Sequence, residues 1–154
     1  MRVLLQRVLN ATLDIGGKRV AEIGKGYLLL IGFGKGDEVE TIGKMAKKVV
    51  QSRLFEDENG KTNLSLSQID GEILSVSQFT LYANMKEGNR PSFVDAMAPE
   101  KAKGFYAIWN DKLREYGVKV QEGVFGADMK INLLNDGPFT IIFDSDELFK
   151  RSER

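Results

Sequence analysis

The stretch Tyr27-Leu28-Leu29-Leu30-Ile31-Gly32-Phe33 is almost wholly apolar, and glycines lie on both sides of it. A run of this length and composition is typical of a strand that is covered on both faces, and we predict that it lies at the centre of a sheet. Before it, apolar and polar residues tend to alternate through Met1–Ile15, and Gly16-Gly17 suits a two-residue turn. These residues predict a β-hairpin whose return strand passes through Val20 and Ile23.

Two segments carry apolar residues at helical spacing. The first runs from Asp37 to about Arg53 and places its lysines mostly away from the apolar face. The second begins at Pro99, whose missing N–H needs no partner in the first helical turn, and stops at Gly117. Further strands are predicted at 73–82, 118–121, 130–134 and 139–143, with a turn at 57–60.

These elements follow the order β-β-β-α-β-α-β-β-β, with the helices grouped in the middle of the chain. The order predicts an α/β fold in which mixed, barrel-like β-sheet layers are covered by two helices. At 154 residues the chain has the size of one ordinary domain, and we expect a single domain over residues 1–154. Residues from about 147 to 154 are mostly charged and are expected to form a C-terminal tail.

The composition restricts the chemistry that the chain can perform. The sequence has no histidine and no cysteine, which excludes Ser-His-Asp and Cys-His mechanisms and zinc sites built from imidazole or thiolate. Lysine plus arginine and aspartate plus glutamate number 22 each, so any contact with nucleic acid must come from local basic patches. The N-terminus is charged too early for a signal peptide, and no apolar run has membrane-spanning length, which predicts a soluble, cytoplasmic protein.

The first polar motif, Ser77-Gln78-Phe79-Thr80, comes at the end of an apolar run. An ordinary strand end explains it, because Thr and Phe favour sheets while Ser and Gln favour their exposed rim. A functional explanation is also available. Successive N–H groups at such a strand end can point at a carbonyl oxygen, with the Thr80 hydroxyl as donor or acceptor beside it.

The second motif, Asn135-Asp136-Gly137-Pro138, has the composition of any tight turn between Leu134 and Phe139. The alternative is a recognition device. A Gly-Pro bond can be cis at modest cost, and a cis bond turns neighbouring carbonyl oxygens the same way. Two acceptors at a fixed separation would suit an α-amino group and an α-hydrogen, the features that distinguish enantiomers.

Other positions also allow two interpretations. Arg7 could place its guanidinium at a sheet edge, or it could brace backbone carbonyls with its rigid fork of donors. Phe125 and Met129 could be plain core, or a face on which a base stacks. A cluster of basic residues could bind phosphate near the first motif, or could simply be solvated: Lys86, Arg90, Lys101 and Lys103. The carboxylates show no spacing typical of a metal site.

Taken together, the sequence resembles the bacterial and eukaryotic type of D-aminoacyl-tRNA deacylase, also called D-tyrosyl-tRNA deacylase. Segments that carry the resemblance fall in order along nearly the whole chain: Gln6–Val8, Ile23–Gly26, Asn63–Ser65, Ser75–Ala83, Gly88–Phe93, Gly123–Met129 and Asn135–Thr140. The resemblance implies an ester hydrolase that releases D-amino acid from tRNA, accepts glycyl-tRNA and uses no cofactor. Its expected partners are the 3′ end and acceptor stem of aminoacyl-tRNA and a second copy of the chain.

In that family two active sites lie at the interface of a homodimer. The resemblance implies that a cis Gly137-Pro138 bond of one subunit enters the pocket of the other, where its carbonyl oxygens exclude L-aminoacyl groups. Ser77, Gln78, Phe79 and Thr80 would line the pocket, with the N–H groups of Phe79 and Thr80 facing the scissile carbonyl. By the same resemblance Arg7 would steady the Gly-Pro carbonyls, and Phe125 and Met129 would lie near the terminal adenosine.

Without histidine, two routes to hydrolysis remain: Thr80 as a nucleophile, or water attack assisted by the 2′-hydroxyl of the terminal ribose. We favour the second, because no residue in the sequence is an evident base for Thr80. Phe139 stands where the family usually has a smaller β-branched residue, so the turn after Pro138 is expected to pack differently. Arg7 accompanies the cis form in the family and is present, and we expect a cis bond. The rival interpretations are a non-catalytic module that binds an amino acid or an RNA end, and a structural homodimer.

Overall fold

The alternating pattern at the N-terminus forms a long strand that organises the sheet. The computed structural model describes residues 1–150. Its strands are β1 (Arg2–Ile15), β2 (Lys18–Ile23), β3 (Gly26–Gly32), β4 (Arg53–Glu56), β5 (Thr62–Ser65), β6 (Glu72–Ser77), β7 (Lys119–Glu122) and β8 (Lys130–Asp144). The helices are α1 (Val39–Gln51), α2 (Pro99–Arg114) and α3 (Ser145–Phe149), with 3₁₀ turns at Ser67–Ile69 and Phe79–Tyr82.

β1 has antiparallel neighbours along both of its edges. β8 pairs with it over almost its whole length, while β3 and β2 share the other edge, β3 along the first half and β2 along the second. β3 then pairs in parallel with β6, and β6 in parallel with β7. The result is a mixed sheet nearly closed into a barrel, with helices on one face, which confirms the predicted fold class.

The curvature of this sheet separates the apolar residues into two clusters. The larger cluster fills the space between the sheet and the helices and includes Leu5, Leu29 and Trp109. The smaller cluster lies inside the curl of the sheet, where Leu13 packs with Ile23 and other residues. β3 is buried on both faces, as predicted for the central run, because it contributes to both clusters.

The predicted helices form from the expected patterns. α1 buries one face, with Ile42, Met45, Ala46, Val49 and Val50 packed into the core. α2 begins at Pro99 as predicted and ends three residues before Gly117. No helix among residues 1–150 is both long enough and apolar enough to cross a membrane.

Four features of the chain differ from the predictions. The turn at 57–60 is confirmed, but it joins β4 to β5 in a hairpin that we did not expect. The strand predicted at 73–82 stops at Ser77, and residues 79–82 turn as a 3₁₀ helix. Residues 130–144 form one strand rather than two strands and a tight turn, because β1 pairs with both halves. The register shifts opposite Arg7, where residues 136–139 have no partner on β1.

The third helix is the fourth difference, since two were predicted. α3 covers part of the expected C-terminal tail: Ser145 is buried, and Phe149 packs against the larger core cluster. The carboxylate of Asp144 caps this helix by accepting a hydrogen bond from the Asp146 N–H. Residues 151–154 of the expected tail lie outside the described residues.

Candidate active site

A largely apolar cavity of about 590 Å³ opens where β3 and β6 end. The first turn of α2 forms one wall, and the loop between β7 and β8 forms another. Of the residues predicted for the site, the cavity is lined by Ser77, Gln78, Phe79, Phe125 and Met129. Five positions spread over more than fifty residues of sequence therefore meet at one cavity.

The first motif makes the transition from β6 to the 3₁₀ turn. The Gln78 N–H donates to the carbonyl of Ile31 at 2.7 Å, which is the last main-chain link to β3 before the chain turns. Phe79 and Thr80 are the first two residues of the turn. Their N–H groups have no acceptor within it, because the first amides of a helical turn precede its first carbonyl. Two adjacent backbone donors are thus available at the mouth of the cavity.

Side chains of the motif complete this mouth. The Gln78 amide Nε2 donates a hydrogen bond to the Thr80 Oγ1, so the Thr80 hydroxyl is held without an ionisable partner. Phe79 is 56% exposed, and its ring contacts the Phe93 ring edge-on at 4.9 Å between centroids. Thr80 is exposed beside the cavity rather than one of its lining residues.

Close packing on β3 and a hydrogen bond from one arginine hold the 3₁₀ turn in place. A Cβ added at Gly32 would lie 2.9 Å from the Gln78 carbonyl oxygen, so only glycine lets the turn rest directly on β3. Arg2 donates from Nη1 to the Leu81 carbonyl at 2.7 Å and lies 4.5 Å from the centre of the Tyr82 ring. Burial raises the pKa of Tyr82, so its phenol is protonated near neutral pH and cannot serve as a base.

The second motif lies in β8, opposite Arg7 of β1. The Gly137-Pro138 peptide bond is cis. Arg7 donates from Nε to the Asp136 carbonyl and from Nη2 to the Gly137 carbonyl, both at 3.2 Å. A third donor, Nη1, bonds the Leu54 carbonyl at 2.7 Å. One guanidinium therefore fixes two successive carbonyls of the motif to the strand after α1.

Arg7 is only 4% exposed, so the interpretation that it reaches a sheet edge is wrong. Arg7 continues the alternation by which Val3 and Leu5 are buried toward the helices. The alternation shifts by one residue only after Arg7, because Val8 is buried as well. The Asp136 carboxylate compensates its charge, with Oδ2 at 3.2 Å from Nε. Sequence reasoning missed both this ion pair and the Leu54 contact. The acidic residue inside the motif was a signal for the first, and nothing local indicated the second.

Arg7, Gly137 and Pro138 do not line the cavity of their own chain. Gly137 and Pro138 are exposed, although the Arg7 side chain beneath them is buried. The predicted site residues thus form two groups: one around the cavity, and one where Arg7 of β1 bonds the Gly137-Pro138 segment of β8.

The basic residues near the first motif are exposed: Lys86, Arg90, Lys101 and Lys103. Lys101 lies 5.5 Å from the centre of the Phe105 ring, one turn into the helix that walls the cavity. Within residues 1–150 no group of three or more carboxylates is arranged to hold a metal ion.

Comparison with known proteins agrees with this architecture. The family described as D-Tyr-tRNA(Tyr) deacylase matches residues 4–144. A D-aminoacyl-tRNA deacylase of Lactobacillus acidophilus is 58% identical over 94% of this chain and 99% of that protein. One from Staphylococcus saprophyticus is 49% identical over 96% of this chain and 97% of that protein.

Solved structures share the fold. A structure titled c-Myc DNA Unwinding Element Binding Protein superposes with a TM-score of 0.88 at 38% identity, covering 94% of this chain and 98% of that one. A probable eukaryotic D-amino acid tRNA deacylase superposes with a TM-score of 0.82 at 21% identity, covering 92% and 97%. The fold and the named relatives define an enzyme class, hydrolases that cleave the ester bond of an aminoacyl-tRNA. The chain belongs to the D-Tyr-tRNA(Tyr) deacylase family, and the resemblance noted in the sequence is confirmed.

Proposed function

We propose that this chain hydrolyses D-aminoacyl-tRNA at the cavity beside Phe79 and Thr80, releasing the free D-amino acid and tRNA. The observation that carries the proposal is the pair of N–H groups without a partner in their own turn, at the mouth of an apolar cavity. Such donors stabilise an oxyanion as it forms on a carbonyl, and this electrostatic effect is commonly the largest single contribution to acyl-transfer catalysis.

The terminal adenosine would occupy the part of the cavity beside Phe125 and Met129. An aromatic ring and a polarisable thioether suit a base without demanding its sequence. The exposed lysines and arginine around the mouth would meet the phosphates of the acceptor stem. Because aminoacyl-tRNA is a cytoplasmic substrate, we propose that the protein acts in the cytoplasm, in proofreading of translation.

Rejection of L-aminoacyl groups would come from Gly137-Pro138 of a second copy of the chain. Two observations support this arrangement. Gly137 and Pro138 are exposed and outside their own cavity, yet Arg7 holds the carbonyls of Asp136 and Gly137 rigidly. β8 also presents apolar side chains to solvent, with Leu134 51% and Ile142 69% exposed, as a strand at a dimer interface would.

For the chemical step we propose that the 2′-hydroxyl of the terminal ribose assists water, rather than that Thr80 attacks. The only side-chain hydrogen bond to the Thr80 hydroxyl among residues 1–150 comes from the Gln78 amide, which cannot remove a proton. The substrate, in contrast, brings its own hydroxyl next to the ester. Glycyl esters would also be accepted, because glycine lacks the side chain that an L-residue would direct at Gly137-Pro138 of the second copy, the proposed chirality filter.

The direct test is ester turnover with labelled D-tyrosyl-tRNA, L-tyrosyl-tRNA and glycyl-tRNA under one set of conditions. We expect the D-ester and the glycyl ester to be lost at least about a hundredfold faster than the L-ester. Light scattering on the same preparation should give the mass of a dimer. Tight binding of the D-ester without release would favour the alternative, a non-catalytic binding module. A monomer with undiminished selectivity would exclude the cross-subunit filter.

A further inference from the structure

We propose that Tyr106 and Asn110 of α2 are positioning residues for deacylation: they fix the end of β6, which leads into Ser77–Thr80, against the loop that carries Phe125. This inference rests on the proposed function of the cavity. Neither residue lines the cavity, so both would act through the backbone that does.

Tyr106 contacts both structures that must be aligned. Its side chain is buried, and its hydroxyl donates to the carbonyl of Ser75 at 2.6 Å. Ser75 precedes the last residues of β6, shortly before the Phe79 and Thr80 amides. On its other side the Tyr106 ring contacts the Phe125 ring, with centroids 6.3 Å apart. One side chain therefore sets the distance between the backbone donors and the aromatic face of the cavity.

The Ser75 carbonyl is the junction of this arrangement. It accepts a second hydrogen bond, at 3.0 Å, from the N–H of Gly123, the first residue of the loop after β7. The β6–β7 ladder ends at the same level, where Ser75 pairs with Glu122. The loop of Phe125 thus leaves the sheet at the point where Tyr106 holds β6. Burial raises the pKa of the Tyr106 phenol, so it remains a donor near neutral pH.

Asn110 extends the contact by one helical turn. It is fully buried, and its Nδ2 donates to the Glu122 Oε1 at 2.6 Å. Arg114, a further turn along, donates to the Glu122 Oε2 at 2.9 Å and to the Val120 carbonyl at 3.1 Å. Tyr106, Asn110 and Arg114 recur every four residues, so one stripe of α2 holds the ends of both β6 and β7.

This polar stripe is buried at a place where apolar side chains would leave no hydrogen-bonding group without a partner. The Ser75 Oγ and the Asn110 Oδ1 are buried without a hydrogen-bond partner among residues 1–150. Buried polar groups with incomplete partners lower stability. Directional hydrogen bonds supply what apolar packing does not, namely a fixed orientation of one strand end relative to the neighbouring loop.

The test compares Tyr106→Phe with Tyr116→Phe in the full-length chain, using D-tyrosyl-tRNA as substrate. Both variants lose one hydroxyl from the same region of the chain, but Tyr116 is 38% exposed, whereas Tyr106 is buried. Because Phe keeps the ring against Phe125, we expect Tyr106→Phe to leave KM within about twofold and to lower kcat about fivefold or more. Tyr116→Phe should match the parent enzyme in both constants.

A second pair of variants, at Glu122, tests the same contact if a substitution in the core prevents folding. Glu122 is exposed enough for Glu122→Ala to fold, and Glu122→Gln keeps an oxygen that can accept from Asn110. We expect kcat to fall for the Ala variant and to be largely retained by the Gln variant. Equal kcat and KM across Tyr106→Phe, Tyr116→Phe and the parent would overturn the proposal while leaving the proposed function intact. Absence of turnover by the parent enzyme would instead reject the proposed function.

Discussion

The guanidinium of Arg7 lies 4.6 Å from the centre of the Phe139 ring. Phe139 follows Pro138 directly, so the residue that bonds the carbonyls of Asp136 and Gly137 also packs on the side chain next to them. The Phe55 ring lies on Arg7 as well, at 6.0 Å. Phe139 is the departure from the family pattern that the sequence indicated, and its ring is accommodated by contact with the arginine that the same motif requires.

The first prediction separates the ring of Phe139 from the hydrogen bonds beside it. Phe139→Val removes the cation–π contact and part of a half-buried side chain, and should lower the free energy of unfolding by about 1–2 kcal/mol. The ratio of D-ester to L-ester hydrolysis should change little, because the hydrogen bonds of Arg7 remain. Phe139→Tyr, which keeps the ring, is the matched control for urea unfolding. A large loss of enantiomer selectivity in Phe139→Val would show that the ring itself positions the filter.

Arg7→Lys tests the hydrogen bonds directly. A single ammonium cannot reach the carbonyls of Leu54, Asp136 and Gly137 with the geometry of a guanidinium fork. We expect the ratio of kcat/KM for the D-ester to kcat/KM for the L-ester to fall by about tenfold or more, equivalent to about 1.4 kcal/mol of lost discrimination. Arg19→Lys, at an exposed position of β2, controls for the substitution itself. An unchanged ratio would mean that the carbonyls keep their orientation without Arg7.

Local sequence patterns predicted what local interactions determine. The hairpin of β1 and β2, the buried β3 and both long helices follow from alternation, helical spacing and the positions of glycine and proline. The failures involve distant partners. Residues 135–138 have the composition of a turn, yet they form an irregularity within β8, because β1 pairs with the residues on both sides of them. Strand β6 ends at Ser77 because the chain turns over Gly32, forty-five residues earlier in the sequence.

The candidate site shows the same division. The hydrogen-bonding groups at a strand end indicated Ser77–Thr80 as a candidate site. The structure places three of these four residues at the cavity with Phe125 and Met129. Arg7 falls on the buried phase of Val3 and Leu5, but the carbonyls that bond its guanidinium lie 129 and 47 residues away in sequence, so alternation alone did not show that its burial is satisfied. Nothing in the local sequence indicated a role for Tyr106, because its acceptor on Ser75 lies 31 residues away in sequence.

Gly26→Ala tests the close approach of the parallel strands β3 and β6. A Cβ at position 26 would overlap the carbonyl oxygen of Glu72 and lie 2.7 Å from its nitrogen, and both atoms belong to the backbone of the paired strand. The strands cannot separate without loss of pairing, so we expect a cost of about 3 kcal/mol or more in urea unfolding. Gly43→Ala in α1 meets nothing within 4 Å and should stabilise the protein by up to about 1 kcal/mol. Similar midpoints for the two variants would contradict the register of β3 and β6.

The last prediction concerns the source of the attacking group. If the ribose 2′-hydroxyl assists water, Thr80→Ala should retain kcat within about tenfold, since it loses one exposed hydroxyl that is bonded to the Gln78 amide. Thr80→Val, similar in shape to threonine, controls for packing. D-tyrosyl-tRNA ending in 2′-deoxyadenosine should be hydrolysed at least about a hundredfold more slowly by the parent enzyme. Its binding, measured by competition against the ribose substrate, should change far less. Full activity on the deoxy substrate together with an inactive Thr80→Ala would assign the attack to Thr80.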